Sequence, residues 1–289
     1  MNTWIKTTGL IAAITLPFIN VAKADELTQL WQVSNFDQPE SVAANSAEKA
    51  IYVSNINGQP TELNGKGYIS KLSADGKVLD KHWLGELNAP KGMAIYGDFL
   101  YIADMQQVHQ VSISQAKIVN QFQVDQAKML NDITVSDDGT VYISDLLAGG
   151  IYRISDNQIS AWFSHENLAH PNGLFWRQDE LLVATWGLGM NDDFTTQTPG
   201  SIYSLNINSK KPKLVAIKGA EQLGNLDGLV QKDNTLYVSD WISGELFKIE
   251  NNKSSKVLGL KPGLADIAIS ESILFTPSMH DRKLTAWQL

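Results

Sequence analysis

The amino-acid sequence predicts an all-β protein, a six-bladed β-propeller, and three observations support this fold class. Helical periodicity is weak along the whole chain of 289 residues, whereas short runs of alternating apolar and polar residues are frequent. Six of these runs begin with similar phrases. The phrases recur at intervals close to the period of a four-stranded propeller blade, about 40 to 45 residues.

Each of the six segments has the same internal order. A small or turn residue is followed by an alternating run, a polar turn and a strand rich in Tyr, Ile and Val. The segments are PESVAANSAEKAIYVSN (39–55), PKGMAIYGDFLYIAD (90–104), LNDITVSDDGTVYISD (130–145), PNGLFWRQDELLVAT (171–185), LDGLVQKDNTLYVSD (226–240) and LADIAISESILFTP (264–277). Their second residues are spaced by 51, 40, 41, 55 and 38 residues. A two-sheet sandwich, the alternative fold, does not explain this spacing.

Residues 1–24 are predicted to be a secretory signal peptide. Lys6 precedes the apolar segment GLIAAITLPFINV (9–21), and residues 22–24 (AKA) form a cleavage site of the A-x-A type. The alternative is an uncleaved anchor helix. Because the segment lacks a lipobox cysteine, we expect the exported protein to be periplasmic.

Residues 25–289 are predicted to form a single propeller domain. After Ala265 only 24 residues remain, enough for about three strands of the last blade. The segment LTQLWQV (27–33) is a strand without a blade at the other end of the chain. We expect this segment to supply the outer strand of the last blade and thereby close the ring.

Composition excludes several classes of function. Without residues 1–24 the chain carries 21 Lys and Arg against 31 Asp and Glu, a net charge of −10, which disfavours nucleic acids and anionic membranes. The absence of cysteine excludes disulfides, thiol catalysis and thiolate metal sites. No segment after the signal peptide is apolar enough to span a bilayer. We therefore expect a monomer that binds a small molecule.

The second residues of the six phrases are candidate ligands of a cation. The first strand of each propeller blade lines the central channel, so these six positions face each other at one mouth. Four of them offer side-chain oxygens, as a Ca²⁺ site requires. For each position taken singly, the alternative is a polar residue that caps a turn. The six residues are Glu40, Lys91, Asn131, Asn172, Asp227 and Ala265.

The order and spacing of these phrases resemble the family of gluconolactonases, senescence marker protein and luciferin-regenerating enzyme over residues 27–289. Diisopropylfluorophosphatase is similar in architecture. The resemblance implies a six-bladed propeller that hydrolyses lactones with one divalent cation in the channel, Ca²⁺ foremost, with Mg²⁺, Mn²⁺ and Zn²⁺ as alternatives. The metal ligands that it implies are Glu40 in PESV, Asn131 in LNDI, Asn172 in PNGL and Asp227 in LDGL.

Two departures from the family pattern argue against a sugar lactone as the substrate. Sugar lactonases of the family often carry a substrate-binding Arg two residues before the asparagine of the N-D phrase, where this chain has Met129. Lys91 places an ammonium in the ring of candidate ligands. It either pairs with Glu40 in place of a cation or donates a hydrogen bond to an oxyanion of the substrate.

Further residues are expected around the mouth of the channel. Two long connections, 55–67 and 186–200, are predicted to face each other across the mouth as flexible flaps; the alternative is that they are tolerated insertions. Aromatic and Met residues that follow second strands favour an apolar or ring-shaped ligand. His280, in the corresponding loop of the last blade, is a candidate acid or base.

These features favour an exported, metal-dependent hydrolase of lactones or related esters. The cation polarises the carbonyl, Asp227 serves as ligand and as base or nucleophile, and Lys91 and His280 are the further catalytic candidates. A non-catalytic propeller that binds a ligand or a protein is the alternative from another class. A phosphotriesterase-like activity on the same scaffold is a third hypothesis.

Overall fold

The described residues form six four-stranded antiparallel sheets, each of them one propeller blade. The computed structural model describes residues 1, 27–209 and 211–289. Each innermost strand contacts the innermost strands of two neighbouring blades, so that the sheets surround one channel. The predicted all-β, six-bladed propeller is thereby confirmed. The predicted cleavage site and all of the predicted signal peptide except Met1 lie outside the described residues.

The strands of the first three blades follow in chain order from the channel outwards. Blade one consists of β2 (Pro39–Asn45), β3 (Ala50–Asn55), β4 (Gly67–Ser73) and β5 (Val78–Leu87). Blade two consists of β6 (Pro90–Tyr96), β7 (Phe99–Asp104), β8 (Gln107–Ser112) and β9 (Lys117–Gln123). Blade three consists of β10 (Leu130–Val135), β11 (Val141–Asp145), β12 (Ile151–Ser155) and β13 (Gln158–Phe163).

A short 3₁₀ helix (Glu166–Leu168) leads into the second half of the chain. Blade four consists of β14 (Pro171–Arg177), β15 (Glu180–Thr185), β18 (Ile202–Asn206) and β19 (Leu214–Ala216), and a separate hairpin consists of β16 (Gly187–Met190) and β17 (Thr196–Pro199). Blade five consists of β20 (Leu226–Lys232), β21 (Thr235–Asp240), β22 (Glu245–Glu250) and β23 (Lys253–Gly259). Blade six contains β24 (Ala268–Ser270), β25 (Ile273–Ser278) and β26 (Lys283–Gln288).

The N-terminal strand β1 (Thr28–Ser34) closes the ring, as predicted. It pairs antiparallel with β26 as the outermost strand of blade six, in a register that runs from Thr28 opposite Gln288 to Ser34 opposite Lys283. Closure leaves no gap between the first and last blades. No helix among the described residues is long and apolar enough to cross a membrane.

Apolar side chains fill the spaces between neighbouring blades. Tyr101 and Val108 of blade two, for example, pack in one buried cluster with Leu130 and Ile143 of blade three. The inner strands are buried on both faces, whereas an outer strand such as β9 exposes alternate residues. Alternating exposure therefore marks the outer strands, because only they have a solvent face, whereas inner strands that also alternate in sequence are buried on both faces.

The two long connections differ from each other. The second one was predicted to be a flexible flap, but its residues 187–199 form the β16–β17 hairpin, which pairs Gly187 with Pro199. The first, residues 56–66, contains no strand and is held by side-chain hydrogen bonds, such as Asn64 Nδ2 to Asn57 O at 3.3 Å. Both connections lie at the same mouth of the channel, as predicted.

Candidate functional site

A β-bulge at the start of each of five inner strands shapes the channel. In blade one, Pro39 pairs with Asn55 and Val42 with Val53, so that two residues of the inner strand oppose only Ser54. The same shift follows the first residue of β6, β10, β14 and β20. The second and third residues of each phrase therefore leave the regular ladder, and a bulge of this kind redirects side chains next to functional sites.

The bulges bring the predicted site residues together at one mouth. Glu40, Lys91, Asn131 and Asp227 line one cavity of about 140 Å³. Asn172 is fully buried and bonded to Asp227. We call these five residues the polar ring. Ala265, the sixth equivalent position, packs in the apolar cluster beside the ring.

Asn172 presents an acceptor oxygen that has no donor. Its Nδ2 donates to Leu226 O at 3.1 Å and to Asp227 Oδ1 at 3.0 Å. Because both partners are acceptors, they fix the orientation of the amide. Its Oδ1 is buried and has no hydrogen-bond partner among the described residues. Such an oxygen is costly to bury unless a donor or a cation meets it.

Glu40 also presents a buried acceptor oxygen that has no donor. Its side chain is 4% exposed, and Oε2 is a buried atom without a hydrogen-bond partner in the described part of the chain. Burial, together with the negative charges of Asp227 and Asp266, raises the pKa of Glu40 well above its usual range. Lys91 opposes this rise only in part, since the pKa remains raised.

Lys91 is buried, but its ammonium bonds elsewhere. Nζ donates to Pro60 O at 2.8 Å, to Ala89 O at 2.9 Å and to Met105 Sδ at 3.4 Å. No ion pair joins Lys91 to Glu40 among the described residues. Burial lowers the pKa of Lys91 to about 8, against the opposing effect of Glu40. The lysine therefore ties the 56–66 connection to the ring.

Two aspartates at third positions of the phrases, which sequence reasoning missed, lie next to the polar ring. Asp132 accepts hydrogen bonds from Leu174 N and Ile133 N, both at 2.6 Å, and Asp266 accepts one from Ser41 Oγ at 2.5 Å. Both line a depression at the opposite end of the inner strands. Burial raises the pKa of Asp132 well above its usual range and that of Asp266 to about 7. The signal was the Asp in LNDI and LADI.

Close contact between blades restricts the other third positions. A Cβ at Gly173 would lie 2.0 Å from Asp227 O, and one at Gly92 would lie 2.4 Å from Asp132 Oδ1. Real Cβ atoms do not approach other atoms so closely, so only glycine fits there. The glycine of PNG is therefore explained by packing against blade five, which places Asn172 beside Asp227.

His280 lies outside the polar ring. It is exposed, its ring meets Trp241 edge-on at 5.1 Å, and it lines a separate depression with Asp37 and Arg282. Its role as an acid or base stays a prediction. Asp193 and Phe194 of the hairpin, by contrast, line the ring cavity.

Four residues of the polar ring, all except Lys91, carry the oxygen donors that a hard divalent cation prefers. Two carboxylates and two carboxamides supply the oxygens, and two of these oxygens, on Glu40 and Asn172, are buried without a partner. The carboxylates of Glu40, Asp132, Asp227 and Asp266 interact unfavourably with one another. A cation would offset this repulsion. No cluster of three or more His, Cys, Asp or Glu arranged for a metal occurs in the described residues.

Fold and ring together define a six-bladed propeller with a polar site on its axis. Three solved structures are similar to this chain. A gluconolactonase of Xanthomonas campestris has a TM-score of 0.67 and 14% identity, over 93% of this chain and 99% of that one. Virginiamycin B lyase of Staphylococcus aureus has a TM-score of 0.60 and 12% identity as the selenomethionine protein, and 0.59 and 13% as an inactive variant with quinupristin, in both cases over 91% of this chain and 100% of that one. The predicted resemblance is confirmed at the level of the fold. No family model and no curated protein sequence matches the chain.

Proposed function

We propose that the protein is a metal-dependent hydrolase of lactones or related esters, exported to the periplasm. The observation that carries the proposal is the polar ring with its two buried oxygens that lack donors, on Glu40 and Asn172. The fold similarity to a gluconolactonase supports the choice of a lactone. Residues 1–24 support export.

Glu40, Asn131, Asn172 and Asp227 would hold the cation, with Ca²⁺ the first choice for a set of oxygen ligands. A bound cation supplies a Lewis acid that polarises the carbonyl of the substrate. Asp227 takes a proton from the attacking water or attacks the carbonyl itself. Its hydrogen bond from Asn172 Nδ2 holds the carboxylate in one orientation at the floor of the cavity.

Lys91 has two roles in this proposal. Its bond to Pro60 O holds the 56–66 connection over the cavity. If a substrate oxygen replaced Pro60 O as acceptor, the same N–H would donate to a developing oxyanion. Because the pKa of Lys91 is lowered only to about 8, the group is still cationic near neutral pH.

A binding propeller without catalysis is the second candidate. Lys91 favours it, because a buried ammonium already supplies positive charge next to Glu40. A phosphotriesterase-like activity would use the same ring, and only a substrate panel distinguishes it from ester hydrolysis.

The substitution Asp227→Ala tests the mechanism. We expect kcat/KM for a lactone to fall about 1,000-fold or more, because an active-site anion is lost. Asp179→Ala, at the exposed turn between β14 and β15, is the matched control and should keep full activity. Circular dichroism and thermal unfolding must show that both variants are folded. Lactonase activity that survives in folded Asp227→Ala would refute the mechanism.

A further inference from the structure

A second set of equivalent residues, all apolar, lies beside the polar ring, and five of its six members line the cavity. In every blade the residue that directly follows the second strand is apolar. We call these six residues the apolar collar. Five of them belong to one buried hydrophobic cluster with Ala89 and Met129, and the sixth, Trp241, packs against this cluster. The collar consists of Ile56, Met105, Leu146, Trp186, Trp241 and Met279.

The polar atoms of the collar are already engaged within the protein. Trp186 Nε1 donates to Phe194 O at 2.7 Å, and Trp241 Nε1 donates to Met279 Sδ at 3.1 Å. Both indoles therefore contribute their hydrocarbon surface to the wall of the cavity. The indole rings of Trp186 and Trp241 contact each other, with their centroids 6.0 Å apart.

Two further charged groups of the cavity lining, Asp193 of the hairpin and Lys91 of the polar ring, also have hydrogen-bond partners within the protein. Asp193 Oδ1 accepts hydrogen bonds from Thr195 N at 3.0 Å and from Thr195 Oγ1 at 2.6 Å. The ammonium of Lys91 has its three acceptors, Pro60 O, Ala89 O and Met105 Sδ. A ligand that enters the cavity thus finds polar partners at the ring and at the exposed carboxylate of Asp193, and hydrocarbon along the rest of the sides.

The cavity is small and partly open to solvent. Its volume of about 140 Å³ is close to that of an engineered apolar cavity of about 150 Å³ that binds benzene. Pro60 of the 56–66 connection and Phe194 of the hairpin both line it. A ligand that fits without rearrangement is therefore compact, of the size of a small lactone ring with a short substituent.

We infer that the substrate is a lactone or ester whose non-reacting part is a compact hydrocarbon group, and that polyhydroxylated sugar lactones are poor substrates. The reaction type rests on the proposed function, whereas the choice of substituent rests on the collar. Each sugar hydroxyl placed against the collar would lose its hydrogen bonds to water without replacement. A methylene in the same place is removed from water with a gain in affinity.

The test compares γ-lactones that carry alkyl substituents of one to four carbons with glucono-1,5-lactone, on a protein of residues 25–289 with saturating Ca²⁺. We expect kcat/KM to rise about three- to fourfold with each added carbon until the cavity is filled. We expect kcat/KM for glucono-1,5-lactone to be at least about 100-fold lower than that for the best alkyl lactone. Leu146→Asn should flatten the dependence on chain length, and Leu63→Asn, on the exposed 56–66 connection, should leave it as it is.

Calorimetry separates this inference from the proposed function. The probes are the corresponding alkyl lactams, which resist hydrolysis, and gluconolactam. Selective binding of the alkyl lactams without turnover of any lactone would refute the hydrolase and leave the collar as the selective element. Preferred turnover of the sugar lactone would overturn the inference and leave the hydrolase, and preferred binding of gluconolactam would overturn the inference by itself. Absence of binding by every probe would overturn the inference too.

Discussion

The polar ring and the apolar collar each repeat one position of the blade, the ring in the inner strand and the collar after the second strand. They differ in whether their polar atoms have hydrogen-bond partners. In the collar, the indole nitrogens of Trp186 and Trp241 have partners within the protein. In the polar ring, Glu40 and Asn172 keep buried oxygens without partners. The polar atoms of the collar therefore have partners, whereas the ring keeps acceptor oxygens that the proposed cation would meet.

The difference has a structural origin. Collar residues lie directly after the regular second strands, where their side chains pack on one another. Ring residues lie in the bulges of the inner strands, where the ladder is interrupted. In blades one, three and five a serine of the second strand bonds the freed backbone amide, as Ser54 does for Ser41 N at 2.9 Å. The bulge is thus supported, and the side chain before it is free for function.

Among these substitutions, Asn172→Ala should have the largest effect, a loss of affinity for the proposed cation. In Asn172→Ala the cation loses one ligand, and Asp227 loses the donor that orients it. We expect about one equivalent of divalent cation in the desalted wild-type protein and a 100-fold or greater loss of affinity in the variant. Elemental analysis measures the metal, with Asn167→Ala on the exposed 3₁₀ helix as the control. A wild-type protein that stays free of metal after Ca²⁺ is added back would favour the binding propeller.

Without a cation, the stability of the protein should fall as the pH rises. Four carboxyl groups that repel one another, Glu40, Asp132, Asp227 and Asp266, have raised pKa values in the folded state. An acid with a raised pKa holds its proton longer when folded, so the free energy of unfolding decreases above the unfolded pKa of about 4. The decrease continues toward the folded value, about 7 for Asp266. The positive charge of Lys91 lowers the pKa of Glu40 and opposes this decrease only in part.

Ca²⁺ should reverse this loss, because its ligands must be ionised. At a concentration of 100 times its Kd it adds about 2.7 kcal/mol, which corresponds to a Tm increase of about 5 to 10 °C for a domain of this size. Differential scanning calorimetry from pH 4 to 8, with chelator or with Ca²⁺, measures both effects. A Tm that does not depend on Ca²⁺ at any pH would contradict the cation site.

Lys91→Met should have a smaller effect, in the opposite direction, on the affinity of the polar ring for Ca²⁺. The substitution preserves much of the side-chain volume and removes a like charge beside the cation site. We expect Ca²⁺ to bind about tenfold more tightly, as calorimetric titration would show. The opposite result, weaker binding by a folded variant, would mean that the tether to Pro60 O matters more than the charge. Metal binding that appears only in the variant would favour the binding propeller.

Trp241→Phe should have the smallest effect. It removes the hydrogen bond to Met279 Sδ but keeps an aromatic side chain in the collar. We expect the free energy of unfolding to fall by about 1 kcal/mol, as measured by urea denaturation. Trp241→Ala, which removes the ring, should lower it by about 3 kcal/mol. Equal losses in the two variants would show that the indole N–H, and not the apolar surface, stabilises the collar.

The sequence by itself determined the number of blades, the closing strand and the membership of the polar ring. These features depend on local patterns, since alternation and polar turns predict strands wherever they recur. The phrase PNGL, for example, already placed Asn172 at the start of an inner strand, and LTQLWQV had no other partner than the last blade. The equivalence of the six second positions followed from the repeat alone.

The tertiary structure decided how the site is satisfied. Only the fold brings Asp266 within 2.5 Å of Ser41, which lies 225 residues away in the chain, and only the fold shows that Lys91 bonds Pro60 O and not Glu40. It also turned the predicted flap 186–200 into a hairpin. The physical reason is that burial, hydrogen-bond partners and pKa values depend on residues from several blades, whereas the strand pattern depends on neighbours along one strand.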